Sequence, residues 1–195
     1  MIIPRVTALQ PRLTPGTLVY RGFSDPDEYR EAGRIGFTPE KPISPAVGAN
    51  WLSAFHGAET LDHVRNVIRY RFKSFSLDEE IACYYATWSK KGIYHRQGWV
   101  AAYRLPVLQG LSAGGGEPEW YETPDGSVVW VDPRSLSPVA ARSFPAWAEM
   151  RNLAQGDSEI LLAKGTIRPV SIREVRPSDC RKTHRPWAGH HIEVL

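Results

Sequence analysis
The chain has 195 residues, 42% hydrophobic and 11% aromatic, enough for one domain with a real core and too apolar for a disordered chain. Its net charge of +3 is too mild to point to nucleic acid as a partner by itself. No apolar run approaches membrane-spanning length, and the N-terminal MIIPRVTALQPRL carries Pro4 and charges where a secretory signal needs an apolar core. The expectation is a single domain over residues 1–195, with a core of about 17–176 and a polar, basic, histidine-bearing tail over 177–195. It is expected to be cytoplasmic as made, with no membrane insertion, and any secretion or delivery into a target cell goes by a route the sequence does not show.

In chain order, Thr17–Arg21 predicts a short strand entered through Pro15-Gly16. Asp25-Pro26-Asp27-Glu28 then starts a helix, with Asp25 as cap, proline at the first position and Glu28 closing a capping box; Gly33 ends it. Pro39, Pro42 and Pro45 mark an irregular loop over residues 37–48. Thr60–Ile68 predicts a helix with Leu61, Val64 and Ile68 on one face. Over Arg69–Ser74 the alternation of RYRFKS predicts a strand, with Tyr70, Phe72 and Ser74 facing in. Ser76 with Glu79 reads as a capping box, so Ser76 is expected to cap a helix carrying Leu77, Ile81, Tyr84, Tyr85 and Trp88. Ser74 is then left as a hydroxyl at the rim of a cleft. The two cysteines, Cys83 and Cys180, fix no disulfide framework, and Cys83 reads as a buried thiol. Beyond Gly98, WVAAYRL is a strand, Pro124-Asp125-Gly126 a turn and Val128–Val131 a β run. Pro145–Leu153 predicts a short helix, Ala154–Gly156 a loop, Glu159–Leu162 a strand and Thr166–Val175 an edge strand tolerating Pro169. Scattered strands between a few helices argue α+β.

Arg21, Ser74 and Glu159 stand at the ends of β runs. In this order they resemble the Arg-Ser-Glu class of mono-ADP-ribosyltransferases, the group of the pertussis and cholera toxins. The similarity starts at LVYRGFSDPDEYREAGRIGF and continues at ETLDHVRN, FKSFS and GWVAAYRL. It ends at QGDSEILLAKGTIRPVSIREV, where the family carries its catalytic glutamate, and only residues 106–150 match nothing closely. The resemblance implies two small packed β-sheets forming an NAD cleft with flanking helices. It implies Glu159, Arg21 and Ser74 as catalytic residues, and Arg21, Gly22, His63 and Ser74 as contacts for NAD, a co-substrate that needs no metal. Two departures stand out. Phe75 replaces the central threonine of the family's Ser-Thr-Ser strand, and Asp157 stands two residues before Glu159 where the family has Glu or Gln.

Cleaving the nicotinamide–ribose bond develops an oxocarbenium-like cation, the problem a glycosidase also faces. Glu159, hydrogen-bonded to the ribose 2′-OH, would strengthen its interaction as that charge grows. Arg21 offers a planar fork for phosphate or ribose oxygens, Ser74 would fix the Glu159 carboxylate, and His63 would reach the adenosine-side ribose or face its own helix. Period two in a strand would bring Asp157 to the same face as Glu159, on the acceptor side. The expected activity is ADP-ribose transfer to a macromolecule, a protein side chain such as arginine before a nucleic acid, in a toxin or effector that a neutralising protein accompanies. With water as acceptor the same site is an NAD glycohydrolase. A non-enzymatic nucleic-acid module is the reading suggested by Arg65, Arg69, Arg71 and Lys73, against which stands an ordinary solvated face. Cys180, His184, His190 and His191 fit no standard zinc spacing.

Overall fold
Strand β7 (Glu159–Lys164) is buried on both faces, with Ile160 and Leu162 in one core cluster and Leu161 and Ala163 in another. That double burial explains its unbroken ILLA run, since a strand covered on one side only would alternate. The computed structural model describes residues 13–39, 51–87, 97–111, 118–135 and 146–180. Among them the other strands are β1 (Leu18–Phe23), β2 (Lys73–Ser76), β3 (Gly98–Arg104), β4 (Gln109–Leu111), β5 (Trp120–Glu122), β6 (Val129–Val131) and β8 (Ser171–Val175). The helices are α1 (Pro26–Arg34), α2 (Leu61–Arg71), α3 (Glu79–Thr87) and α4 (Trp147–Asp157). The fold is α+β. Instead of the expected pair of sheets there is one eight-stranded sheet, ordered β4-β5-β6-β7-β2-β1-β3-β8, with every pairing antiparallel.

The sheet is narrowest at its middle. β1 and β2 share only the Tyr20–Ser76 pairing, whereas β1 pairs with β3 from Leu18 to Phe23. On one face of the β6–β7 half lie α2 and α4, contributing Val64 and Met150 to a core with Phe72, Val131 and Leu161. The other face packs Phe37, Phe75, Tyr103 and Trp130, whose rings meet edge-on or tilted at 5.1–6.2 Å. Across the β1–β3–β8 half lies α3, bonded from Cys83 to Cys180. The expected buried thiol is therefore half of a disulfide. A Cβ on Gly22 would stand 1.7 Å from the Ala82 carbonyl oxygen, and one on Gly98 would stand 2.1 Å from that of Ala86. Only glycine lets α3 lie this close on the strand backbones.

Four boundaries move relative to the sequence reading, the first being the edge strand expected over Thr166–Val175, which begins only at Ser171 and leaves Pro169 outside it. Helix α2 runs on through Arg71, because Val64, Ile68 and Phe72 make a four-residue stripe and Arg69 and Arg71 suit a helix C-terminus. Tyr70, expected to face inward, is 53% exposed, and the β strand starts only at Lys73. Ser76 does not cap α3. It ends β2, and the helix begins at Glu79 behind Asp78, whose Oδ1 accepts the Glu80 N–H at 2.9 Å. Finally, α4 continues through the predicted loop to Asp157. Ser158, at φ 48°, then turns the chain into β7 in a single left-handed step, its N–H bonding the Ala154 carbonyl. Among the described residues no helix is long and apolar enough to cross a membrane. Trp88, most of the proline-rich loop, and His184, His190 and His191 lie outside the described residues.

Candidate active site
Where β1 and β2 part, the sheet opens into a cleft of about 470 Å³. Its floor and sides are made by Tyr20 and Gly22 of β1, Ser74 of β2, Ala82 and Tyr85 of α3 and Glu159 of β7. Ser76 pairs in register with Glu159, and Ser74 with Leu161, so both serines share a sheet face with the glutamate. The Ser74 hydroxyl donates to Glu159 Oε1. This is the contact expected of it.

Arg21 enters from the other face of its strand and rests on the rings of Phe37 and Phe75, 5.2 and 6.0 Å from their centroids. Its Nη1 donates to the Ser74 carbonyl at 2.8 Å, so the arginine side chain bridges the two strands where their pairing has ended. Nε and Nη2 both bind Glu28 Oε1, at 2.8 and 2.7 Å. Glu28 thus serves the arginine instead of closing the predicted capping box, while Asp25 does cap α1, accepting the Asp27 N–H at 2.9 Å. Arg21 reaches the cleft wall with its charge already offset.

Asp157 and Glu159 look into the cleft together, but not by strand alternation. The helix end and the left-handed Ser158 place them there. Asp157 is 8% exposed and accepts a hydrogen bond from the Tyr85 hydroxyl, while its backbone carbonyl takes the Ser76 hydroxyl at 2.6 Å. Ser76 also accepts the Asp78 N–H at 3.0 Å, tying the end of β2 to both helices. Burial pushes the Glu159 carboxyl up to about 7; the Ser74 hydrogen bond opposes this, the Asp157 charge adds to it, and Arg21 and Arg65 oppose it. A carboxyl in this state takes up and releases a proton near neutral pH.

Two further cavities adjoin the cleft. One of about 110 Å³, between α2 and α4, has Val64, Arg65, Met150 and Leu153 on its walls and shares Tyr85, Asp157 and Glu159 with the cleft. The other, about 470 Å³, lies against α1 and shares Arg21, Arg69 and Ser74. The residues brought together are therefore Arg21, Gly22, Ser74, Asp157 and Glu159. His63 is not among them: it is exposed on the first turn of α2, where its N–H bonds the Thr60 cap, and it lines none of these cavities. Arg69, which the basic run Arg65–Lys73 singled out for the nucleic-acid reading, lines the cleft, as does Tyr85, while Glu28 binds Arg21; the last two were not foreseen. The only sequence signals for them were acidity after a strand-end arginine and aromatics on α3. Cys180, spent in the disulfide, is not available as a metal ligand. No protein-family model, curated protein or solved structure matches this chain, so the site stands on its own geometry.

Proposed function
We propose that the chain is an NAD-dependent mono-ADP-ribosyltransferase acting from the Glu159 cleft, with a fold of the ADP-ribosyltransferase type. The observation that carries it is the Ser74 hydroxyl held on the Glu159 carboxylate while Arg21 grips the Ser74 carbonyl. Residues from separate strands join as one unit, in the chain order that the resemblance to the Arg-Ser-Glu enzymes requires. Glu159 would accept a hydrogen bond from the ribose 2′-OH and stabilise the cation that forms as the nicotinamide departs with the electrons of its C–N bond. Ser74 orients that carboxylate. Arg21 is a positioning residue, setting Ser74 and the junction of β1 with β2.

The acceptor attacks the freed ribose carbon and loses a proton. Asp157, beside Glu159, is the acceptor-side carboxylate, and the most economical acceptor is a protein side chain such as arginine. The test is incubation of the purified chain with NAD labelled on its adenosine half and a macromolecular extract. Label is expected on macromolecule, and Glu159→Gln should remove it. Release of free ADP-ribose alone would make the chain an NAD glycohydrolase, and untouched NAD would refute both activities.

A further inference from the structure
Resting on that reading, we infer that Arg69 is the phosphate-binding residue of the site, a role the sequence placed on Arg21. Arg21 is poorly suited to it, because Glu28 takes two of its nitrogens and offsets its charge, and Ser74 takes the third. Arg69 sits on the last turn of α2, exposed, with no hydrogen-bond or ion-pair partner among the described residues. It lines both the Glu159 cleft and the cavity against α1. Lys73, four residues on, lines the second of these.

Each of the two cavities, at about 470 Å³, is of the size that holds a small organic molecule, and their shared wall lets a dinucleotide, with two nucleosides and a diphosphate, extend across both. With the nicotinamide ribose at Glu159, the adenosine half extends into the cavity against α1, where Asp25, Asp27, Glu28 and Glu31 disfavour phosphate and leave the shared wall as its place. The diphosphate joining the halves then falls at their common wall, which is made of Arg21, Arg69 and Ser74. Of these only Arg69 brings an uncompensated positive charge to the two negative phosphates, and Lys73 stands behind it.

The experiment is calorimetric titration of the full chain with NAD and, separately, with inorganic pyrophosphate. The variants are Arg69→Gln, Arg69→Lys and, as an exposed control on α1, Arg34→Gln. Removing one charge-assisted contact should weaken binding of both ligands about tenfold in Arg69→Gln. Arg69→Lys should recover most of the loss, Arg34→Gln should bind like wild type, and salt should weaken the wild type more than Arg69→Gln. For NAD cleavage KM should rise in Arg69→Gln while kcat stays within about twofold. Equal NAD affinity in wild type and Arg69→Gln would overturn the inference and leave the transferase reading standing. Arg69-dependent binding of pyrophosphate without binding of NAD would keep the anion site and overturn the transferase reading. Binding of neither ligand by the wild type would overturn both.

Discussion

On the proposed reading, Glu159 is held in conditions that favour its chemistry and oppose its folding. Its carboxyl is raised from the ordinary 4.5 to about 7, first by burial, so the native state keeps a proton that the unfolded chain has released. Stability on this account is greatest below pH 4.5 and is lost as pH rises toward 7. Glu159→Gln should therefore melt like wild type near pH 4, yet at pH 8 be more stable by on the order of 1–3 kcal/mol. The same variant should still bind NAD and fail to cleave it. A lower melting temperature at pH 8 would mean that the charged carboxylate is a stabilising partner and not a strained one. Neighbours tune the same proton. Asp157 raises the carboxyl and the Ser74 hydrogen bond lowers it, so the acid limb of kcat/KM for NAD cleavage should move to lower pH in Asp157→Asn. In Ser74→Ala it should move to higher pH, along with a fall in kcat. Limbs that coincide with wild type in both variants would show that Glu159 does not set the profile.

At the scale of elements, the two serines of Ser74-Phe75-Ser76 divide their work differently from a helix cap beside a cleft. Ser76 is 5% exposed and bonds both the Asp157 carbonyl and the Asp78 N–H. Ser76→Ala leaves a buried acceptor and a donor unmet and should destabilise by about 2 kcal/mol. Asp78→Ala removes the actual cap and should cost about 1 kcal/mol. Chemical denaturation of the two variants decides the order, and a larger loss in Asp78→Ala would return Ser76 to the rank of a minor contact. The sequence was readable wherever a local rule governed. The Asp25 cap with proline behind it, the helix from Thr60, the strand after Gly98 and the turn at Asp125 all lie where the sequence placed them. It was misread where two periodicities fit the same letters. RYRFKS alternates like a strand, yet the four-residue stripe through Val64, Ile68 and Phe72 keeps Arg69–Arg71 in the preceding helix, and the strand starts only at Lys73. The shared cleft of Asp157 and Glu159 was expected from strand alternation, whereas a helix end and a left-handed Ser158 produce it, and no local pattern marks that turn. Tyr85 meets Asp157 across 72 residues of chain, and Arg69 comes to the edge of the cleft only through the fold, neither of which a local pattern records.

For the whole molecule, the question is what keeps α3 against the junction of β1 and β2, since this helix carries Tyr85 and closes the cleft that the narrow sheet leaves open. Close packing is one answer. Gly22 and Gly98 let the Ala82 and Ala86 carbonyls approach so near that a methyl group on either glycine would collide with them. The Cys83–Cys180 disulfide is the other, joining residues 97 apart in sequence and tying α3 to the segment beyond β8. These two restraints act on different states. Packing orders the native helix, whereas the cross-link chiefly restricts the unfolded chain, and for a loop of this length the chain-entropy model gives about 4–5 kcal/mol. Reduction should then lower the melting temperature by about 10 °C or more, on a scale of about 2–4 °C per kcal/mol for a chain this size. Well below that transition the reduced protein should cleave NAD with kcat/KM within about twofold of the oxidised form, because the glycine contacts still seat Tyr85 beside Asp157. Paired melts and initial rates with and without reductant give both numbers, and Cys83→Ala with Cys180→Ala repeats them without a reductant. Loss of turnover at a temperature where the reduced chain remains folded would show that the cross-link, and not the packing on β1, holds the wall of the site in place.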